Sequence, residues 1–287
     1  MSDALALRRE VTRIIASHFT PLTPTLLVRR ALPDPGLRNV GPWIFLDHFG
    51  PLQVAAGDRG TPPHAHAGIE TVTYLLEGGM RHRDSGGHEG EIGRHGVQWM
   101  SAGSGIVHAE RPVGGERGLL HGLQLWTKLP RAAQLTAPAY RHFAAESLPV
   151  FRAGDAVVRV VGGALMGRQS PATTHWPLVL AHVALQGRGR AELDTPAGFE
   201  LAAYIALGHA RFGEVEADAG KLLRFSREGA GLEVANDIEE RADVILLGGA
   251  PFHEPMVFQG SFVMDSAAAV RRAEQDLRAG RMGALAE

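Results

Sequence analysis

The 287-residue sequence contains no cysteine. That excludes disulfides, thiolate zinc sites, iron–sulfur clusters and a cysteine nucleophile, so any metal must be held by His, Asp or Glu. No apolar run approaches the ~18–20 residues needed to cross a bilayer. Neither sign of charge is in excess. Lys plus Arg is 29 and Asp plus Glu is 31, a net charge of −2 with neutral histidine. That balance argues against a general binder of nucleic acid or of an anionic membrane surface. Near the N-terminus, Arg8, Arg9, Glu10 and Arg13 interrupt the apolar stretch that a secretory signal would need. A cytoplasmic protein is the expectation. Helical periodicity is scarce too, so the crossover helices of a parallel α/β fold are missing.

What is present is a globular composition, 45% apolar and 21% charged, in a chain long enough for one large domain or two ordinary ones. Gly (36) and Pro (17) make up about 18% of the residues, against roughly 12% in an average chain. Many turns imply many short elements. Runs of β type lie between them: residues 43–46, 71–76, 123–127, 157–161, 178–185, 201–207, 222–225 and 244–247. This pattern predicts an all-β sandwich or barrel. One helix is expected from about Ser266 to Ala279. Asp265 or Ser266 can cap it, Val270, Ala273 and Leu277 mark one face, and Gly280 can end it. A short helical turn is expected near Pro130 to Leu135. Residues 130–155, punctuated by Pro130, Pro138 and Pro149, read as a connector between two strand-rich stretches. The expected division is 1–138 and 139–287, with the helix in the second part. The halves show no close repeat.

Seven of the 14 histidines (His64, His66, His82, His88, His95, His108 and His121) fall within 58 consecutive residues. His64-Ala65-His66 is a His-x-His. In a strand, residues i and i+2 share a face, so both rings can converge on one point. His108-Ala109-Glu110 offers an imidazole and a carboxylate with the same geometry. Two such strands can clamp one divalent first-row ion from two sides. Four protein ligands on a six-coordinate ion leave two positions for substrate or oxygen. Barrel interiors also hold histidines that only hydrogen-bond to backbone, so the pattern alone does not prove a ligand set. Glu70, four residues beyond His66, competes with Glu110 as the carboxylate. Strand register decides between them, because a one-residue slip reverses a side chain's face. His82, His88 and His95 sit beside Gly86, Gly87, Gly90 and Gly96 and read as solvated hairpin residues. His121 reads as structural packing.

Residues 63–78, His82-Arg83-Asp84-Ser85, residues 97–110 and His121-Gly122-Leu123-Gln124-Leu125-Trp126 together resemble the signature of the pirin family. Residues 247–255 and 260–264 look like its C-terminal pattern. The resemblance implies a bicupin: two antiparallel β-barrels of jelly-roll type with a short C-terminal helix, commonly monomeric. It implies one divalent metal ion, Fe(2+), in the N-terminal barrel, held by His64, His66, His108 and Glu110. The C-terminal barrel would lack a full metal set. The resemblance thus favours Glu110 over Glu70, which becomes a supporting residue. Two activities follow from it. One is cleavage of a flavonol such as quercetin by dioxygen, with loss of carbon monoxide and with Glu110 as the base for the 3-hydroxyl proton. The other is a metal-dependent regulatory role through a protein partner, without direct contact to nucleic acid. The chain departs from the family where Ala65 and Ala67 follow the two histidines, which bears on the shape of the pocket. Before residue 26 no match is evident.

Overall fold

The computed structural model describes residues 7–23 and 26–286. The chain runs through β1 (Val11–Ala16), β2 (His18–Thr23), β3 (Leu26–Leu32), β4 (Trp43–Gln53), β5 (Thr61–His66) and β6 (Ile69–Glu77). There follow β7 (Gly79–Asp84), β8 (Glu89–Ile92), β9 (Val97–Ser101), β10 (Ile106–Val113), β11 (Leu119–Lys128) and β12 (Ala139–Phe143). Each of the eight predicted β runs lies inside a strand. Strands β5-β10-β7-β8 form one sheet and β12-β9-β6-β11-β4-β3-β2 another. A second pair of sheets is built mainly from residues 150–249, with β1 at one edge. The sheets are not closed barrels; they are of the two-layer jelly-roll type. No helix among the described residues is long and apolar enough to cross a membrane.

β6 shows how this sequence builds a jelly roll. Ile69 to Leu76 are all buried, so both faces of the strand are covered. A strand covered on both faces usually reads as an unbroken apolar run. Here Glu70, Thr71 and Thr73 interrupt the run, and buried polar groups need partners. Thr127 Oγ1 donates to Glu70 Oε2 at 3.0 Å, and Thr73 Oγ1 to Glu110 Oε1 at 3.0 Å. Glu70 and Thr73 are an odd number of residues apart, so they serve opposite faces.

The compact units differ from a single cut after residue 138. One gathers Thr20–Val28, Phe45–Ser147 and the chain from His253 onward. The other gathers the chain up to Phe19, Arg29–Ile44 and Leu148–Phe252. The reason lies in two anchors. Arg9 is buried and donates to Thr195 Oγ1 and to the carbonyls of Pro196, Phe199 and Ser226, at 2.7–2.9 Å. Leaving that guanidinium without acceptors would cost several kcal/mol, so β1 stays with the later strands and pairs with Lys221–Phe225. At the other end, helix α1 (Ala267–Arg278) packs Val270 and Ala273 into a cluster with Ala65, Val107, Phe262 and Met264. The turn expected near Pro130 to Leu135 is present, hydrogen-bonded over residues 130–136, and the rest of the expected connector is more structured than predicted, because β12 pairs with β9.

Ser266 caps α1, its side chain accepting from Ala269 N at 3.2 Å. Gly280, at φ +72°, ends it. Leu277, predicted on the packed face, is 38% exposed, because the cluster is already complete with Val270, Ala273 and Met282.

Gly68 links β5 to β6 at φ +74°. Its N–H donates to Gly103 O at 2.9 Å and its carbonyl accepts from Leu129 N at 3.0 Å. A Cβ there would collide with the Val263 carbonyl and Met264 sulfur. Gly68→Ala is expected to destabilise the protein by about 2 kcal/mol or more, through left-handed strain plus overpacking. The midpoint of denaturant unfolding checks this, and an unchanged midpoint refutes it.

Candidate metal centre

The centre is assembled by β10, which lies between β5 and β7. His108 is directly opposite His64 on β5 and Asp84 on β7; Ile106 is opposite His66, and Glu110 opposite His82. Cross-strand partners point to the same side of a sheet. His64, His66, His82, Asp84, His108 and Glu110 therefore share one face. Pro62 and Pro63 sit where the β5–β10 register shifts by one residue, so that Glu110 is opposite Thr61. A proline has no N–H to give a ladder, and it is tolerated here because β5 is an edge strand. On its other side the β10–β7 ladder runs without a shift and places Glu110 opposite His82.

Two groups able to hold a metal ion result, with ligand atoms within 4.8 Å of one another: His64, His66 and His108, and His82, His108 and Glu110. His108 belongs to both. The rings of His64, His66 and His108 have centroids 4.4–4.9 Å apart. His64 Nε2 lies 3.0 Å from His108 Nε2. The other nitrogen of His64, Nδ1, is 2.8 Å from the carbonyl of Pro62. A carbonyl only accepts, so Nδ1 carries the proton and Nε2 presents a lone pair to the cluster. His66 and His108 are buried, whereas His64 is only half-buried, so the cluster opens toward solvent at His64.

Burial, and then the His64 ring, push His66 down to about 3, with a backbone contact at Ser261 acting the other way. Burial, and then the rings of His66, His64 and His82, hold His108 well below the usual histidine value. Both rings are neutral at pH 7, as metal ligands must be. Glu110 Oε1 accepts from Thr73 Oγ1 at 3.0 Å and from Gln98 Nε2. Tyr140 OH reaches Gln98 Oε1 at 3.3 Å. Burial, and then the Glu110 and Asp84 charges, raise the Tyr140 pKa, so its hydroxyl keeps its proton.

His82 is not the solvated hairpin residue that its glycine neighbours suggest. It is buried, stacks on Tyr140 with centroids 4.1 Å apart and contacts Asp84 Oδ2 at 3.1 Å. Alternation carried the signal: Met80, His82 and Asp84 face inward, while Arg81 and Arg83 do not. Burial alone would raise the Asp84 pKa, but hydrogen bonds from His82 and His88 outweigh it and lower it. His88 is half-exposed at the edge of this group. Glu70 joins neither metal-capable group and pairs with Thr127. His121 is buried with its Nε2 2.7 Å from His48 Nε2. Gln98, Thr73 and Tyr140 were missed from sequence, because amide and hydroxyl residues in strands carry no motif.

The profile described as "Pirin" matches residues 25–127, and that described as "Pirin C-terminal cupin domain" matches residues 180–283. A pirin-like protein of Solanum lycopersicum is 35% identical over 286 residues, covering 99% of this chain and 96% of the relative. The chain belongs to the pirin family. Mouse pirin is 33% identical, covering 97% of this chain and 96% of its own. The fold of this pirin-family chain matches the crystal structure of quercetin 2,3-dioxygenase from Acinetobacter baumannii. That match has a TM-score of 0.89 at 26% identity, over 98% of this chain and all of that one. A nickel(II) complex of the bacterial pirin YhhW from Escherichia coli shares the fold, with a TM-score of 0.65 at 20% identity.

The donor set fits a divalent ion on the structure's own terms. Neutral imidazoles crowd one point, two ring nitrogens face each other at 3.0 Å, and among the described residues the buried Nδ1 of His66 has no partner at hydrogen-bond geometry. A ring lone pair buried among other imidazoles is costly unless a donor or a cation takes it.

The depressed His66 and His108 values predict an acid-sensitive metal-free protein. Between about pH 6.5 and pH 3 the unfolded chain binds a proton at His66 that the folded chain refuses, so stability falls as pH falls through this window. The slope is up to about 1.4 kcal/mol per pH unit for each such group. Denaturant unfolding of metal-free protein at a series of pH values measures it. His66→Gln, which has nothing to titrate at that position, is expected to flatten the curve; an unchanged slope contradicts the assignment.

Proposed function

We propose that this chain is a metal-dependent dioxygenase that cleaves a flavonol such as quercetin, with Fe(2+) held by His64, His66, His108 and Glu110. The observation that carries the reading is the crowding of three imidazoles on a sheet face that also presents Glu110, with His108 common to both metal-capable groups and the face open toward solvent at His64. The likeness to the Acinetobacter baumannii quercetin 2,3-dioxygenase supports the substrate class.

A divalent ion in this cluster would act as a Lewis acid on the flavonol 3-oxygen and lower the pKa of its hydroxyl. The protein's part follows from the side chains. His64, His66 and His108 supply neutral nitrogen donors. Trp126 stands edge-on to His66, with centroids 5.2 Å apart, and stacks on Phe45 at 3.9 Å. These rings form an aromatic wall beside His66. Glu110 Oε1 is occupied by Thr73 and Gln98, so Oε2 is the atom that would take the 3-hydroxyl proton, and it would have to loosen from the metal to do so, because a carboxylate bonded to a cation is a poor base.

Metal-loaded protein is expected to consume oxygen and bleach flavonol absorbance when quercetin is added in air, and to do neither under anaerobic conditions. Elemental analysis of protein purified without chelator should find iron. In metal-saturated protein, Glu110→Gln is expected to lower kcat by about 10²–10⁴-fold, the range of a lost general base, with a smaller change in KM. Absence of oxygen uptake by the loaded protein would overturn the dioxygenase reading and favour a metal-dependent role through a protein partner.

A further inference from the structure

We propose that Gln98, together with Thr73, positions Glu110 for the metal by holding one carboxylate oxygen and presenting the other, so that two residues outside the ligand set govern the affinity of the centre. The inference rests on the reading of Glu110 as a ligand.

Thr73 on β6 is directly opposite Gln98 on β9 and Gln124 on β11. The three side chains therefore form a row on one face of the seven-stranded sheet. Glu110 belongs to the four-stranded sheet, so the contacts made by Gln98 and Thr73 bridge the two layers. Gln98 and Thr73 are buried, and water cannot replace either donor freely.

The protons of this network can be counted. An ionised carboxylate only accepts, so the Gln98 amide must present its NH₂ end to Glu110. One N–H goes to Glu110 Oε1 and the other reaches Thr73 Oγ1 at 3.1 Å. Gln98 Oε1 is left to accept from Tyr140 OH. Thr73 has one proton and two lone pairs. Thr73 Oγ1 is also close to Gln124 Oε1, and one proton cannot serve two acceptors; with that proton on Glu110, the Gln124 amide must turn its NH₂ end toward Thr73, whose oxygen also accepts from Gln98. Every group is then satisfied, and both donors to Glu110 fall on Oε1. Among the described residues, no donor reaches Oε2. The carboxylate thus meets the cluster through a single oxygen.

Carboxylates that ligate metals are commonly hydrogen-bonded in turn, and removing such a partner costs about 10–100-fold in metal affinity. Cobalt(II) titrated into the metal-free full chain against a competing chelator reports affinity, and its visible ligand-field bands report the coordination sphere. Gln98→Leu and Thr73→Val are each expected to weaken cobalt binding by about 10–100-fold and to alter those bands. Thr73→Ser keeps the hydroxyl and should bind as the wild type does. Thermal unfolding of the metal-free variants shows whether each folds; should Gln98→Leu fail to fold, the Thr73→Val and Thr73→Ser pair carries the test. Wild-type affinity and spectrum in Gln98→Leu and Thr73→Val, alongside lost binding in Glu110→Ala, would overturn the positioning role while leaving the ligand. Wild-type binding by Glu110→Ala would remove the ligand reading and this inference together.

Discussion

The register of β10 between β5 and β7 is the constraint on which the centre depends. One strand presents His108 and Glu110, and its two neighbours decide what stands beside each. On one side His108 meets His64; on the other, Glu110 meets His82. Because side chains alternate with a period of two, a one-residue slip of β10 would turn both groups away. The slip is resisted by the apolar residues that alternate with them. Val107 and Ala109 are buried on the reverse face, and Val107 packs in the cluster that includes α1. The helix at the end of the chain thus helps to hold a strand from its middle in register.

The second theme is the cost of polar groups in buried strands. Glu70, Thr73, Gln98, His82 and Asp84 are all buried. Each is tolerable only because it is hydrogen-bonded. Their partners lie on other strands, so the polar network also specifies which strands face one another. Arg9 acts in the same way on the N-terminal segment, where acceptors far along the chain draw β1 into the later sheets. Apolar contacts would stabilise many arrangements of these strands, whereas satisfied donors and acceptors are compatible with few.

Much of the centre was legible in the sequence. The two i, i+2 pairs, 64/66 and 108/110, gave the faces, and the pirin resemblance favoured Glu110 over Glu70. The same parity rule applied to Met80-Arg81-His82-Arg83-Asp84 would have brought His82 inward, but the glycines beside it drew the reading toward a solvated hairpin. The pairing of Glu110 with His82 was beyond any such rule, because it depends on which strands pair and in what register. The compact units divide the chain differently from a single cut after residue 138, for a related reason. Composition marks a linker only when the segments on either side stay apart, and here both termini return to partners distant in sequence.

The sequence by itself determined the all-β architecture, the helix near the C-terminus, the oxygen and nitrogen character of any metal site, and two i, i+2 pairs as candidate donors. These follow from local chemistry: turn residues, alternation, and the absence of thiols. Only the tertiary structure decided which face each strand buries, that His82 joins His108 and Glu110, that Gln98 and Thr73 hold one oxygen of the carboxylate, and which unit each terminus joins. Those outcomes depend on strand pairing over long separations, and pairing is chosen by the free energy of the whole fold rather than by any short stretch of chain.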